Sequence, residues 1–135
     1  MMVIDRAGYR LNVGIILVNE SGRVFWGKRQ GHDAWQFPQG GLMTNESATA
    51  AMYRELEEEI GLCKVDVKIL GVTKRWLRYR LPPQYIRHGK EPIVIGQKQK
   101  WFLLKLPLKR FLSNILFNSE SSFKLPLMST SFPYS

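Results

Sequence analysis

Residues 40–62, GGLMTNESATAAMYRELEEEIGL, carry a helix with both its start and its stop marked. Thr44 or Asn45 can cap the N-terminus, and Glu46 follows where an acid favours the first turn. Strong helix formers run from Ala48 to Ile60, Gly61 supplies a left-handed stop, and Leu62 is placed to pack back on the last turn. At about 100° per residue from Glu46, the residues Glu55, Glu58 and Glu59 fall at roughly 180°, 120° and 220°. They share one arc, while Glu57, at about 20°, faces away. Met52, Tyr53, Leu56 and Ile60 occupy the adjoining arc, so one stripe can pack on a sheet beside three converging carboxylates.

Residues three and four apart on a helix face each other, so the three glutamates repel. A solvated acidic face is one reading, and the usual one for a charge run. The other is a site for a hard divalent cation such as Mg²⁺, which takes carboxylate oxygens and keeps waters and substrate phosphates in its shell.

On the N-terminal side, Tyr9–Val18 reads as a strand, Asn19-Glu20-Ser21-Gly22 as a turn, and Arg23–Trp26 as the return of a hairpin. Gly31–Ala34 reads as loop, and Trp35–Gly41 as a short extended piece broken by Pro38. Beyond the helix, Val65–Val72 reads as a strand and Ile93–Leu106 as one or two more. Thr73–Lys90 between them is basic and aromatic, with Pro82-Pro83 marking a loop.

The chain has 135 residues, the size of one domain, and 44% hydrophobic with 23% charged residues excludes wholesale disorder. Twenty lysines and arginines against 11 acids give +9, which points to a polyanionic partner: nucleic acid or a phosphorylated small molecule. Cys63 stands alone, cannot form an internal disulfide, and reads as a small packing residue. No apolar run approaches the roughly 20 residues of a membrane helix, and the N-terminus has no apolar core of a signal peptide. The expectation is a soluble, cytoplasmic protein with no membrane partner.

Gly40, five residues, Glu46, seven residues, Arg54-Glu55-Leu56, one residue, Glu58-Glu59, one residue and Gly61-Leu62 match every fixed position of the Nudix box. The chain therefore resembles the Nudix hydrolases, which cleave nucleoside diphosphates linked to another group. The resemblance implies an α/β fold, a mixed β-sheet in an α/β/α sandwich, with the box as a loop–helix–loop that binds Mg²⁺ or Mn²⁺. It implies that Glu55, Glu58 and Glu59 are the catalytic metal ligands. Gly40 would lie at the metal site with its backbone open to the phosphates, and Glu46 and Arg54 would form a supporting ion pair. Gly8-Tyr9-Arg10, Trp35–Gly41, Tyr53–Leu56, Trp76–Tyr79 and Gly96–Phe102 are similar to the RNA pyrophosphohydrolase branch, which overlaps the dinucleoside polyphosphate hydrolases. Members of that branch remove pyrophosphate from the 5′-triphosphate end of RNA, leaving a monophosphate and promoting mRNA decay.

That resemblance directs attention to Arg10, Arg29, Tyr79, Gln97 and Lys98 as substrate-binding residues, for an RNA 5′ end or a nucleoside polyphosphate. Lys28, Arg75, Arg78, Arg80 and Lys100 are further basic residues able to meet phosphates. Trp26, Trp35, Trp76 and Trp101 can stack on bases or fill the core, and the core is the commoner use. His32 and His88 lack metal-ligand spacing. No segment marks a protein activator.

The resemblance spans Asp5–Leu106, so residues 1–106 form the expected Nudix domain. Residues 107–135 form a divergent tail with seven serines, expected to hold one short helix over Lys109–Phe117 and then disorder. The family's further acid, tryptophan-rich strand and C-terminal helix are not recognisable there, and Glu120 lacks the flanking pattern. The expectation is an RNA pyrophosphohydrolase whose usual C-terminal helix is missing or replaced, leaving one sheet face uncovered; the alternatives are a dinucleoside polyphosphate hydrolase and, because of the altered tail, a catalytically weak RNA-binding remnant.

Overall fold

The computed structural model describes residues 2–25, 27–29, 35–106, 123–124 and 127–131; the side chains of 27–29, 35 and those after 106 are outside the description. Two long strands form its centre: β1 (Tyr9–Asn19) and β8 (Gly96–Leu106), paired in parallel from Tyr9↔Gly96 to Asn19↔Leu106. A parallel pair needs a crossover, and most of the described residues lie between these strands in sequence. Along the way come β2 (Arg23–Phe25), β3 (Gly27–Arg29), β4 (Trp35–Gln36), β5 (Gln39–Gly41), α1 (Ala48–Ile60), β6 (Lys68–Val72) and β7 (Leu77–Arg80). The first half of β1 pairs antiparallel with β5 (Asn12↔Gly41, Gly14↔Gln39), and its end pairs with β2 (Val18↔Val24). β6 and β7 add antiparallel to β8. The sheet is thus mixed, as the sequence implied.

Period-two alternation sorts the side chains. Val13, Ile15 and Leu17 of β1 and Phe102, Leu104 and Leu106 of β8 lie on one face, fully or almost fully buried. α1 covers that face with Ala51, Met52, Leu56 and Ile60, followed by Leu62, all fully buried. Each such aliphatic side chain contributes about 1.5–3 kcal/mol by leaving water. The opposite face carries Arg10, Asn12 and Gly14 beside Gln97, Gln99 and Trp101. Gly14 is required there, because a Cβ would run into the Trp101 indole.

The β1–β2 hairpin forms as expected, its turn held by Asn19 Oδ1 accepting from the backbone N–H of Ser21 and of Arg23, both at 2.9 Å. Three expectations are corrected, on the helix cap, on the start of the strand after the helix and on Cys63. The helix is capped by Ser47, whose Oγ accepts from Ala50 N at 3.1 Å. Thr44 and Asn45 instead form a preceding turn in which Asn45 takes φ +64° and Glu46 N donates to Met43 O. The strand read from Val65 starts only at Lys68, because Asp66 closes a 3-10 turn over Lys64–Asp66 by accepting from Cys63 N at 2.8 Å. Leu77–Arg80, in the basic and aromatic segment to which the sequence assigned no element, is strand β7, held by its ladder with β8 rather than by burial, since all four residues are exposed. Cys63 is exposed rather than packed.

Two short tail segments, β9 (Phe123–Lys124) and β10 (Leu127–Ser131), pair with β3 and β2. The helix expected over Lys109–Phe117 lies outside the described residues, as does most of the tail that bears on the C-terminal helix. Among the described residues no helix is long and apolar enough to cross a membrane.

Candidate active site

The site begins with the Ser47 cap and the Gly61 stop, which fix where α1 starts and ends. Gly61 takes φ +80°, and its N–H donates to the carbonyls of Leu56 and Glu57 at 3.1 and 3.0 Å. Between these ends, Arg54 gathers the acids. Its Nε donates to Glu46 Oε2 at 2.8 Å and its Nη2 to Glu46 Oε1 at 2.9 Å, a bidentate pair. Nη1 donates to Glu55 Oε1 at 2.8 Å and to Glu58 Oε2 at 3.2 Å, while Nη2 also donates to the Gly41 carbonyl at 2.8 Å. One guanidinium therefore ties the loop before the helix, strand β5 and two of the three glutamates together.

Electrostatics follow from this geometry. The hydrogen bonds from Arg54 hold the Glu46 carboxyl below its ordinary pKa, and those same bonds push the Arg54 guanidinium above its own. Glu55 goes the other way: burial raises its pKa, and the charges of Glu58 and Glu59 add to the rise despite the bond from Arg54. Glu55 is only 7% exposed and sits against Gly40, where a Cβ would overlap its carboxyl. Glu58 is exposed, and Glu57 faces solvent on the far side.

A cleft of about 390 Å³ opens beside this cluster. Gly40, Glu55 and Glu59 line it together with Arg10, Tyr79 and Gln97. Arg10, Tyr79 and Gln97 thus meet at the cleft with two of the glutamates. Lys98 does not: its Nζ bonds Asp5 Oδ2 at 2.9 Å and lies 5.6 Å from the Trp76 ring, since the strand alternates and Gln97 already faces the cleft. Arg29 is placed in β3 by its backbone, and its side chain is outside the described residues. Sequence reasoning passed over Asn12, Gln36 and Gln39, which also line the cleft. Their signal was the alternation of β1 and the extended reading of Trp35–Gly41, which attention to charge obscured. Trp76 packs partly against the core, and Trp101 is half-buried, edge-on to Phe37 with ring centroids 6.0 Å apart.

Residues 8–108 match the NUDIX domain family. The chain belongs to the Nudix family. An RNA pyrophosphohydrolase of Legionella pneumophila is 78% identical over 105 residues, covering 78% of this chain and 60% of that protein. Another, from Psychrobacter sp., is 62% identical over 104 residues, covering 77% of this chain and 60% of that protein. The chain spans about three-fifths of the length of these curated relatives. Among solved structures, the E. coli dihydroneopterin triphosphate pyrophosphohydrolase superposes with a TM-score of 0.61 at 20% identity, over 96% of this chain and 77% of that one. A C. elegans Ap4A hydrolase gives 0.52 at 17% identity, over 87% and 79%. Both likenesses show the Nudix fold.

Nudix hydrolases generally use divalent metals. Among the described residues of this Nudix chain, no three His, Cys, Asp or Glu side chains are already gathered as a metal site, and Arg54 bridges Glu55 and Glu58. The donor chemistry nevertheless fits a hard cation. Glu55 and Glu59 offer oxygens to the cleft, and the absent side chain at Gly40 makes room for the Glu55 carboxyl.

Proposed function

We propose that this chain is a metal-dependent RNA pyrophosphohydrolase, removing pyrophosphate from the 5′-triphosphate end of RNA to leave a 5′-monophosphate and promote mRNA decay in the cytoplasm. The observation that carries this reading is one cleft lined both by the carboxylates Glu55 and Glu59 and by Arg10, Tyr79 and Gln97. The names borne by relatives 62–78% identical to it support the choice of RNA as substrate.

Glu55, Glu58 and Glu59 would hold Mg²⁺ or Mn²⁺, which when bound neutralises phosphoanhydride charge and supplies an activated water. The remaining work falls to the chain itself. Arg10 meets phosphate oxygens with a guanidinium suited to two contacts, and Gln97 and Tyr79 donate hydrogen bonds beside it. Arg54 and Glu46 act at one remove: they fix Glu55 against Gly40 so that its carboxylate faces the cleft without searching for a rotamer. Because several contacts are to phosphate, binding weakens as salt rises.

The test is pyrophosphate release from a 5′-triphosphorylated RNA with Mg²⁺, with Mn²⁺ and with chelator, beside Glu58→Gln. Metal-dependent release that is lost in the variant is expected. A kcat/KM favouring diadenosine tetraphosphate over the RNA would make the chain a dinucleoside polyphosphate hydrolase instead. RNA binding without any turnover would make it a binding module.

A further inference from the structure

Behind the cleft runs a line of neutral amides that no proton transfer or charge neutralisation requires. Alternation along β8 puts Gln97, Gln99 and Trp101 on one face, and Asn12 of β1 stands opposite Gln99. Gln99 and Asn12 are 9% and 5% exposed, so their hydrogen bonds are obligatory.

The orientation of Gln99 follows from Trp101. An indole N–H can only donate, and Trp101 Nε1 donates to Gln99 Oε1 at 3.2 Å. The Gln99 oxygen is therefore committed to Trp101, and its NH₂ group points the other way. There it meets three oxygens: Gln39 Oε1 at 3.1 Å, Asn12 Oδ1 at 3.3 Å and Gln97 Oε1 at 3.4 Å. An amide NH₂ offers hydrogens and accepts none, so each of these neighbours must show it oxygen. The NH₂ groups of Gln39 and Gln97 are thereby turned away from Gln99, on side chains that line the cleft. Arg10 lines the same cleft, and its buried Nε meets no hydrogen-bond partner among the described residues. A polyphosphate chain presents acceptors only, so a wall of N–H groups complements it.

We propose that Gln99, locked in orientation by Trp101, is a positioning residue that turns the amides of Gln39 and Gln97 into hydrogen-bond donors toward the substrate's polyphosphate. The inference rests on the pyrophosphohydrolase reading of the cleft. Two hydrogens on Gln99 serve three oxygens, so one neighbour is always underserved. Gln97, at the longest distance, is the one freest to adjust when substrate enters.

The test uses the full chain and Gln99→Met, which keeps the length of the side chain and removes both ends of the relay. The expected result is a KM for triphosphorylated RNA raised about tenfold, with kcat within about threefold, because binding donors are lost while the glutamates are untouched. In a Gln39→Met/Gln97→Met background the same change should then add less than about twofold, since Gln99 acts through those two residues. An unchanged KM in folded Gln99→Met, or an equal increment in both backgrounds, overturns the proposal. Should Gln99→Met fail to fold, Trp101→Phe keeps an aromatic ring beside Phe37 and Gly14 but deletes the N–H; a raised KM with steady kcat is expected, and an unchanged KM overturns the relay. If wild type releases no pyrophosphate, the functional reading itself fails. The relay is then read from calorimetric affinity for inorganic tripolyphosphate, which Gln99→Met should weaken about tenfold; equal affinity overturns it.

Discussion

Arg54 grips Glu46 through two near-parallel hydrogen bonds, Nε to Oε2 at 2.8 Å and Nη2 to Oε1 at 2.9 Å, eight residues apart in sequence. Both side chains are largely shielded, at 23% and 15% exposure, so this pair is worth more than a solvated one. Glu46→Gln should cost about 1–2 kcal/mol of stability at neutral pH. The folded-state pKa of Glu46 is depressed, so its contribution is present above the unfolded carboxylate range and is lost as pH falls through the folded value. Urea titrations of wild type and Glu46→Gln should differ at pH 7 and converge at acid pH. A constant difference across that range would assign the effect to packing.

Gly40 is constrained by its neighbour rather than by its backbone angles. A methyl group there would overlap the Glu55 carboxyl and force it to shift. Gly40→Ala should lower kcat about a hundredfold or more by displacing a metal-ligand candidate. It should cost about 1–3 kcal/mol in stability, the usual range for overpacking. Activity and thermal melting of the same preparation check both expectations.

Arg10 brings to the cleft a buried Nε with no partner among the described residues. Such a donor is costly to leave unmade and is satisfied when an anion arrives. Arg10→Ala should therefore raise KM for triphosphorylated RNA about tenfold or more, with less effect on kcat, and should flatten the dependence of KM on salt. Initial rates at two or three salt concentrations measure it.

The helix, its glycine stop and the acid trio were legible because each rests on local sequence: helix formers, one left-handed position, and a spacing of three and four. The cap was less legible. Thr44, Asn45 and Ser47 are all good capping residues, and the choice among them depends on Asn45 adopting φ +64° and on Glu46 being held by Arg54. β7 was missed for a similar reason: Leu77 and Tyr79 alternate with Arg78 and Arg80, but only the ladder with β8, distant in sequence, makes that a strand. Lys98 and Gln97 were read together as substrate contacts because they are adjacent in a motif. On a strand, adjacency sends them to opposite faces, which brings Gln97 to the cleft and Lys98 to Asp5.

The cap assignment has its own test. Ser47→Ala removes the oxygen that accepts from Ala50 N and should cost about 1 kcal/mol. Asn45→Gly should be neutral or mildly stabilising, because glycine adopts a positive φ without a Cβ penalty. Chemical denaturation of the two variants ranks them, and an unchanged stability in Ser47→Ala would overturn the assignment.

Glu55 sets activity against stability. Its pKa is raised chiefly by burial, so ionising it in the folded chain is less favourable than in the unfolded one. For an acid with a raised folded pKa, stability falls as pH climbs from the unfolded value through the folded one. In metal-free buffer, Glu55→Gln should therefore melt at a higher temperature than wild type while hydrolysing RNA at least a hundredfold more slowly. Adding Mg²⁺ should reverse the order: wild type gains stability by binding the ion in its folded state, and the variant, lacking one carboxylate, gains little. Melting curves with chelator and with Mg²⁺ decide the matter, and a variant stabilised by Mg²⁺ as strongly as wild type would remove Glu55 from the metal site.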